Sequence, residues 1–71
     1  MYLVIELQKN GETLSNISFA YSDYNQAMSK YHALLSAAAI SSVECHAVSL
    51  LEDTGRVVHY EWFEHRNVNN E

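Results

Sequence analysis

Seventy-one residues with four lysines and arginines against nine aspartates and glutamates carry a formal net charge of −5. That is the wrong sign for neutralising a phosphate backbone, which argues against a DNA or RNA partner. A single cysteine rules out an intrachain disulfide and suits a reducing, cytoplasmic setting.

A chain this short sits where one core supplies only about 3–5 kcal/mol unless something braces it. No Cys/His spacing resembles a structural zinc site. Oligomerisation is the brace left over, and 48% apolar residues agree with it. A strand pattern begins at once at the N-terminus, and no apolar run approaches the roughly 18 residues of a membrane span. The expectation is a cytoplasmic protein without signal peptide or membrane segment.

In chain order, residues 1–8 alternate Leu3, Ile5 and Leu7 against Tyr2, Val4 and Glu6, the pattern of a strand. Lys9-Asn10-Gly11 is a turn. A three-residue loop would pair Gln8 with Glu12 and set Leu3, Ile5 and Leu7 beside Ile17 and Phe19; a two-residue Asn-Gly turn would set them opposite Asn16 and Ser18. Burial favours the first register.

Residues 23–42 form the one predicted helix and its exit. Asp23 and Gln26 fit a capping box, so the helix begins at Tyr24. Ala27, Met28, Tyr31, Leu34, Leu35 and Ala38 make an apolar stripe of 3.6 period that meets the sheet. Ser29, Ala33, Ser36 and Ala37 lie on the far side, small enough for a second helix to approach or simply exposed. The exit at Ile40-Ser41-Ser42 has neither Gly nor Pro, so the two hydroxyls are expected to satisfy the last helical carbonyls or to face a ligand.

The second half repeats the first in outline. Residues 43–51 and 57–64 read as strands around Asp53-Thr54-Gly55, with Glu52 paired to Arg56. That register gathers His46, Val48, Leu50, Val58, Tyr60 and Trp62 on one face, toward the helix. The other face takes Val43, Cys45, Ala47, Leu51, Val57, His59, Glu61 and Phe63. A helix of about 16 residues, near 24 Å long, cannot cover both sides of four strands, so the second face needs another copy or a partner. The fold expected is α+β: β-hairpin, helix, β-hairpin (ββαββ), a four-stranded mainly antiparallel sheet with the helix on one face, in one domain over residues 1–65. Residues 66–71 are polar and expected to fray.

No reaction is identified. In this register His46 and His59 project from opposite faces and share no metal, while the Cys45/His59 pair lacks further ligands. Cys45 lies mid-strand, where cysteine behaves as a small hydrophobe. The chain is therefore expected to be non-catalytic, without cofactor or metal. The candidate ligand set is Lys30, His32, Ser41, Ser42, His46, Arg56, Tyr60 and Trp62. Across a dimer seam the cation of one chain and the hydroxyls of the next would meet a ligand, with Arg56, Tyr60 or Trp62 adding charge or a stacking surface. Taken singly, each has a structural role available: Lys30 solvated, His46 bonded within the sheet, Trp62 in the core.

The run Ser29-Lys30-Tyr31-His32, then Leu35-Ser36-Ala37-Ala38-Ala39, Ser41-Ser42-Val43, His46 and the closing Tyr60-Glu61-Trp62-Phe63-Glu64-His65 resembles short proteins encoded by phages and prophages of Gram-positive bacteria, over about residues 3–65. The resemblance implies a small, cytoplasmic, phage-encoded accessory protein and carries no binding residue with it. Such proteins are similar in size and oligomeric habit to inhibitors of bacterial defence, including sponges for cyclic or ADP-ribose-type nucleotides. The function expected is a non-catalytic homo-oligomer, dimer or higher, that counters host immunity by sequestering a nucleotide-derived signal. The alternative is an interaction module that blocks a host defence protein or nuclease.

Overall fold

The structure, a computed structural model, describes residues 1–65; the expectation of a frayed tail falls outside them. Strand β1 spans Tyr2–Asn10, β2 Thr13–Tyr21, helix α1 Tyr24–Ala39, β3 Cys45–Glu52 and β4 Val57–Glu64. The strands form one antiparallel sheet in the order β2-β1-β3-β4. This is the expected α+β, ββαββ arrangement. No helix among the described residues is long and apolar enough to cross a membrane.

The helix begins where its cap requires. Asp23 has extended backbone angles, φ −104° and ψ 129°, and its Oδ2 accepts from the Gln26 backbone N–H at 3.0 Å, the Asp23 half of the expected capping box. Ala27, Tyr31 and Ala38 are buried, and Met28, Leu34 and Leu35 pack around the core cluster. Under the helix lie Val4 on β1 with Val48 and Leu50 on β3, the largest fully buried side chains. Each stabilises the fold by about 1.5–3 kcal/mol. Ser29, Ala33, Ser36 and Ala37 are exposed, as the far side of the stripe should be.

Two expected registers are overturned. In the first hairpin Asn10 pairs with Thr13 around a two-residue loop, Gly11–Glu12, with Gly11 at φ 65°. A glycine free to take positive φ at the first loop position is what such a tight turn favours. Leu3, Ile5 and Leu7 therefore pair with Ala20, Ser18 and Asn16, while Phe19 and Tyr21 turn toward the helix beside Val4 and Tyr2. Burial does not select the other register, because β2 is an edge strand whose residues, apart from half-buried Phe19 and Tyr21, are exposed on either face.

In the second hairpin the turn is as expected. Glu52 N–H donates to the Arg56 carbonyl at 2.9 Å, and Gly55 has φ 92°. Beyond it the register slips by one: Leu51 pairs with Val57 but Leu50 with His59. Val58 is the extra residue of a β-bulge and packs on the core cluster itself. Every later β4 side chain changes side, because strand alternation has period two. His46, Val48 and Leu50 face the helix as expected, but Tyr60 and Trp62 are on the opposite, open face, and His59, Glu61 and Phe63 join the helix side. The grouping of His59 with Cys45 is thereby corrected. His46 and His59 now share a face but pair with Phe63 and Leu50, about 13 Å apart along the strand direction, too far for one metal. No cluster of three or more metal-ligating side chains occurs among the described residues.

Candidate functional site

The structure divides the eight candidate residues among five places. Lys30 lies over the edge of the sheet, its Nζ 4.2 Å from the centroid of the Phe19 ring, a cation–π contact. His32 is exposed and meets Tyr31 edge-on at 5.7 Å. Burial pushes the Tyr31 phenol above its ordinary pKa, and the charge of Glu61 adds to that.

At the end of α1, Ser41 Oγ accepts from the Val43 backbone N–H at 3.1 Å, holding the exit turn, and Ser42 is exposed. The last helical carbonyls are met otherwise than expected. Ala38 O accepts from the Ser41 backbone N–H at 3.2 Å and from His65 Nε2 at 2.7 Å. A carbonyl only accepts, so the His65 proton is on Nε2. The His65 backbone N–H donates to Glu44 O at 2.7 Å, closing β4 back onto the helix exit. Sequence reasoning overlooked His65; its place just beyond the last strand was the available signal.

His46 is buried on the helix side, with Nδ1 3.3 Å from Glu6 Oε2. The carboxylate accepts, which places the proton on Nδ1 and leaves Nε2 with no hydrogen-bond partner among the described residues. The His65 ring stands edge-on to His46 at 5.8 Å. Glu6 is the residue no sequence pattern nominated: a carboxylate amid the apolar alternation of β1, legible only once β3 is set beside it. Arg56 is exposed in the second turn.

Tyr60 and Trp62 remain, 57% and 55% exposed on the open face. They border an open hollow of about 300 Å³ lined by Leu7, Lys9, Leu14, Cys45, Ala47 and the two aromatic rings, with His46 in its floor between Cys45 and Ala47. A second hollow of similar size lies at the other end of the sheet, between Met1, Leu3, Ala20 and Leu51. Within the strands, Lys9 and Glu64 are the only charged side chains the alternation places on the open face, in one cross-strand row with Cys45. The two rings offer a stacking surface for a planar base, and Lys9, one row beyond Trp62 on the far side of β3, offers a cation for a phosphate, with Glu64 in the same row as Lys9. The structure thus brings Tyr60 and Trp62 from the predicted set to one hollow with Lys9, which the sequence pattern assigned to the turn and which β1, running to Asn10, instead carries within the strand.

Comparison with protein families, curated proteins and solved structures finds no match to this chain.

Proposed function

We propose that this chain is a non-catalytic, homo-oligomeric binding protein that sequesters a nucleotide-derived signal, of cyclic-nucleotide or ADP-ribose type, at the open sheet face. The observation that carries this reading is the hollow beside Tyr60 and Trp62, which two exposed aromatic rings and Lys9 line together. One chain provides only an open hollow, so retention of a ligand calls for a second chain to close it. The resemblance to phage-encoded proteins supports a role against bacterial immunity. Lys30, His32, Ser41, Ser42 and Arg56 lie apart from this hollow, and His46 meets it only from beneath, its ring buried on the helix side.

Thermal denaturation with a panel of cyclic dinucleotides and cyclic ADP-ribose variants tests it. At a hundredfold excess over Kd a ligand adds about 2.7 kcal/mol, which for a domain this size raises Tm by about 10–20 °C. Trp62→Ala and Lys9→Ala should each abolish the rise, and mass spectrometry after denaturation should return the ligand intact. No shift with any nucleotide overturns the reading, and an altered ligand makes the chain an enzyme. A second reading, capture of a host polypeptide, is favoured by the openness and apolar lining of the same hollow. Its mark is a co-purified protein lost on Trp62→Ala.

A further inference from the structure

The open face has a relief that the cross-strand rows make plain. On the outer strand β2 its central residues are Asn16 and Ser18, and on β3 Ala47 and Ser49; these are small or short. On β1 they are Ile5 and Leu7, and on β4 Tyr60 and Trp62; these are large. Because the order is β2-β1-β3-β4, the face runs low, high, low, high from one edge to the other. The rows are fixed by pairing: Asn16, Leu7, Ala47 and Trp62 lie in one, and Ser18, Ile5, Ser49 and Tyr60 in the next.

We infer that the occupant of this face is a second copy of the chain, packed sheet to sheet about a two-fold axis parallel to the strands. Such an axis preserves height along the strands and reverses their order. It sets β4 of one copy over β2 of the other and β1 over β3, so each ridge enters a groove: Trp62 over Asn16 of the second copy, Tyr60 over Ser18, Leu7 over Ala47. An axis across the strands would set β1 on β1 and β4 on β4, ridge on ridge, which overpacks the seam. Facing sheets in aligned packing cross at about 30°, about 10 Å apart, with the inner side chains interdigitated.

Charge and area point to the same occupant. The chain carries −5, yet the strands present on this face one lysine and one glutamate, so two copies can meet there without like charges being pressed together. Four strands about 4.8 Å apart and eight residues long at about 3.3 Å each span roughly 500 Å² in projection. Once corrugated by leucines and aromatic rings, this approaches the ~800 Å² per partner of a standard interface. The pairing takes up the homo-oligomer of the reading above, but Leu7 of the second copy, seated over Ala47, enters the same hollow, so in this packing the second copy and a ligand compete for it.

The test is an exchange across the seam, and it uses no nucleotide, so the pairing and the ligand reading can fail separately. Asn16 and Trp62 sit on opposite edges of the sheet, three strand spacings or about 14 Å apart, and cannot compensate for each other within one chain. Sedimentation equilibrium of the full chain should give a dimer at micromolar concentration. Asn16→Trp should weaken it about 30-fold or more, since each dimer holds two overpacked contacts. Combining Asn16→Trp with Trp62→Asn should restore it to within a few-fold. The exchange Ser18→Tyr with Tyr60→Ser repeats the test should Asn16→Trp fail to fold, as judged by far-UV circular dichroism. The one tryptophan of the native chain should shift to longer emission wavelength as the dimer is diluted. A wild-type monomer, a dimer indifferent to Asn16→Trp, or an exchange that restores nothing overturns the pairing.

Discussion

The pair formed by Glu6 and His46 is the sharpest test of how the helix-side core is held. Both side chains are buried, 3.3 Å apart, and His46 Nε2 has no partner among the described residues. Glu6→Leu removes the hydrogen bond of the His46 ring and leaves a buried imidazole with neither nitrogen partnered among the described residues. That costs about 1–3 kcal/mol. His46→Leu strands a buried carboxylate and should cost more, about 3–5 kcal/mol. The double variant replaces both by apolar groups of similar size and should return to within about 1 kcal/mol of wild type, since it also removes the unpartnered Nε2. A 71-residue domain is stable by only about 4–10 kcal/mol, so the single variants are large perturbations. Urea unfolding followed by far-UV circular dichroism reads the cycle. With a slope near 1 kcal/mol per molar for so small a domain, Glu6→Leu should lower the midpoint by about 1–3 M. A double variant destabilised by the sum of the two singles would show that the side chains do not stabilise each other, and the reasoning would fall.

Three further outcomes are expected. Asp23→Ala removes the helix cap and should cost about 1 kcal/mol, read as a Tm lower by about 4–8 °C; an unchanged Tm would mean that the bond to Gln26 contributes nothing. Gly55, at φ 92°, has open space where a Cβ would lie, so Gly55→Ala should lose about 1–2 kcal/mol from backbone strain alone. Gly55→Asn should recover part of that in the same urea titration, because asparagine tolerates left-handed angles. The Tyr31 phenol is raised by burial and then by Glu61, so in the window above the unfolded value of about 10 the native state holds its proton more firmly than the unfolded chain. The stability this contributes is complete below about pH 10 and is lost as pH rises toward the folded value. Tyr31→Phe should flatten the alkaline decline in Tm; an equal decline in both proteins would assign it elsewhere.

How far the fold could be read in advance differs strand by strand. The helix was legible to the residue at its start because Asp23 and Gln26 state a local rule, and the stripe from Ala27 to Ala38 repeats it over several turns. The faces of β3 were legible because His46, Val48 and Leu50 alternate cleanly with smaller residues. The strand β1 was not, since Leu3, Ile5 and Leu7 are as apolar as Tyr2 and Val4, and only tertiary packing selects which set lies beneath the helix. In β4 the adjacent Val57 and Val58 give no mark of which is the inserted one, so the exchange of Tyr60 and Trp62 for His59, Glu61 and Phe63 could not be foreseen. The same slip explains why the predicted ligand set scatters. It mixed residues from the two sides of the sheet, from the middle of the helix and from its exit, whereas the two rings of the hollow stand on one side.

The central position of β1 also sets an order of assembly. Its bonds to β2 close a two-residue loop, but those to β3 join residues as near as Lys9 to Cys45 and as far as Tyr2 to Glu52. Encounters across that much chain are entropically costly and come late. Until they do, the first hairpin is a free ribbon bearing leucine and isoleucine on one side and valine and tyrosine on the other. Its β1 edge then offers unpaired amides to any passing strand. Refolding yield should therefore fall with protein concentration more steeply than native stability would suggest, and the arrival of β3 ends the chain's exposure to misassembly.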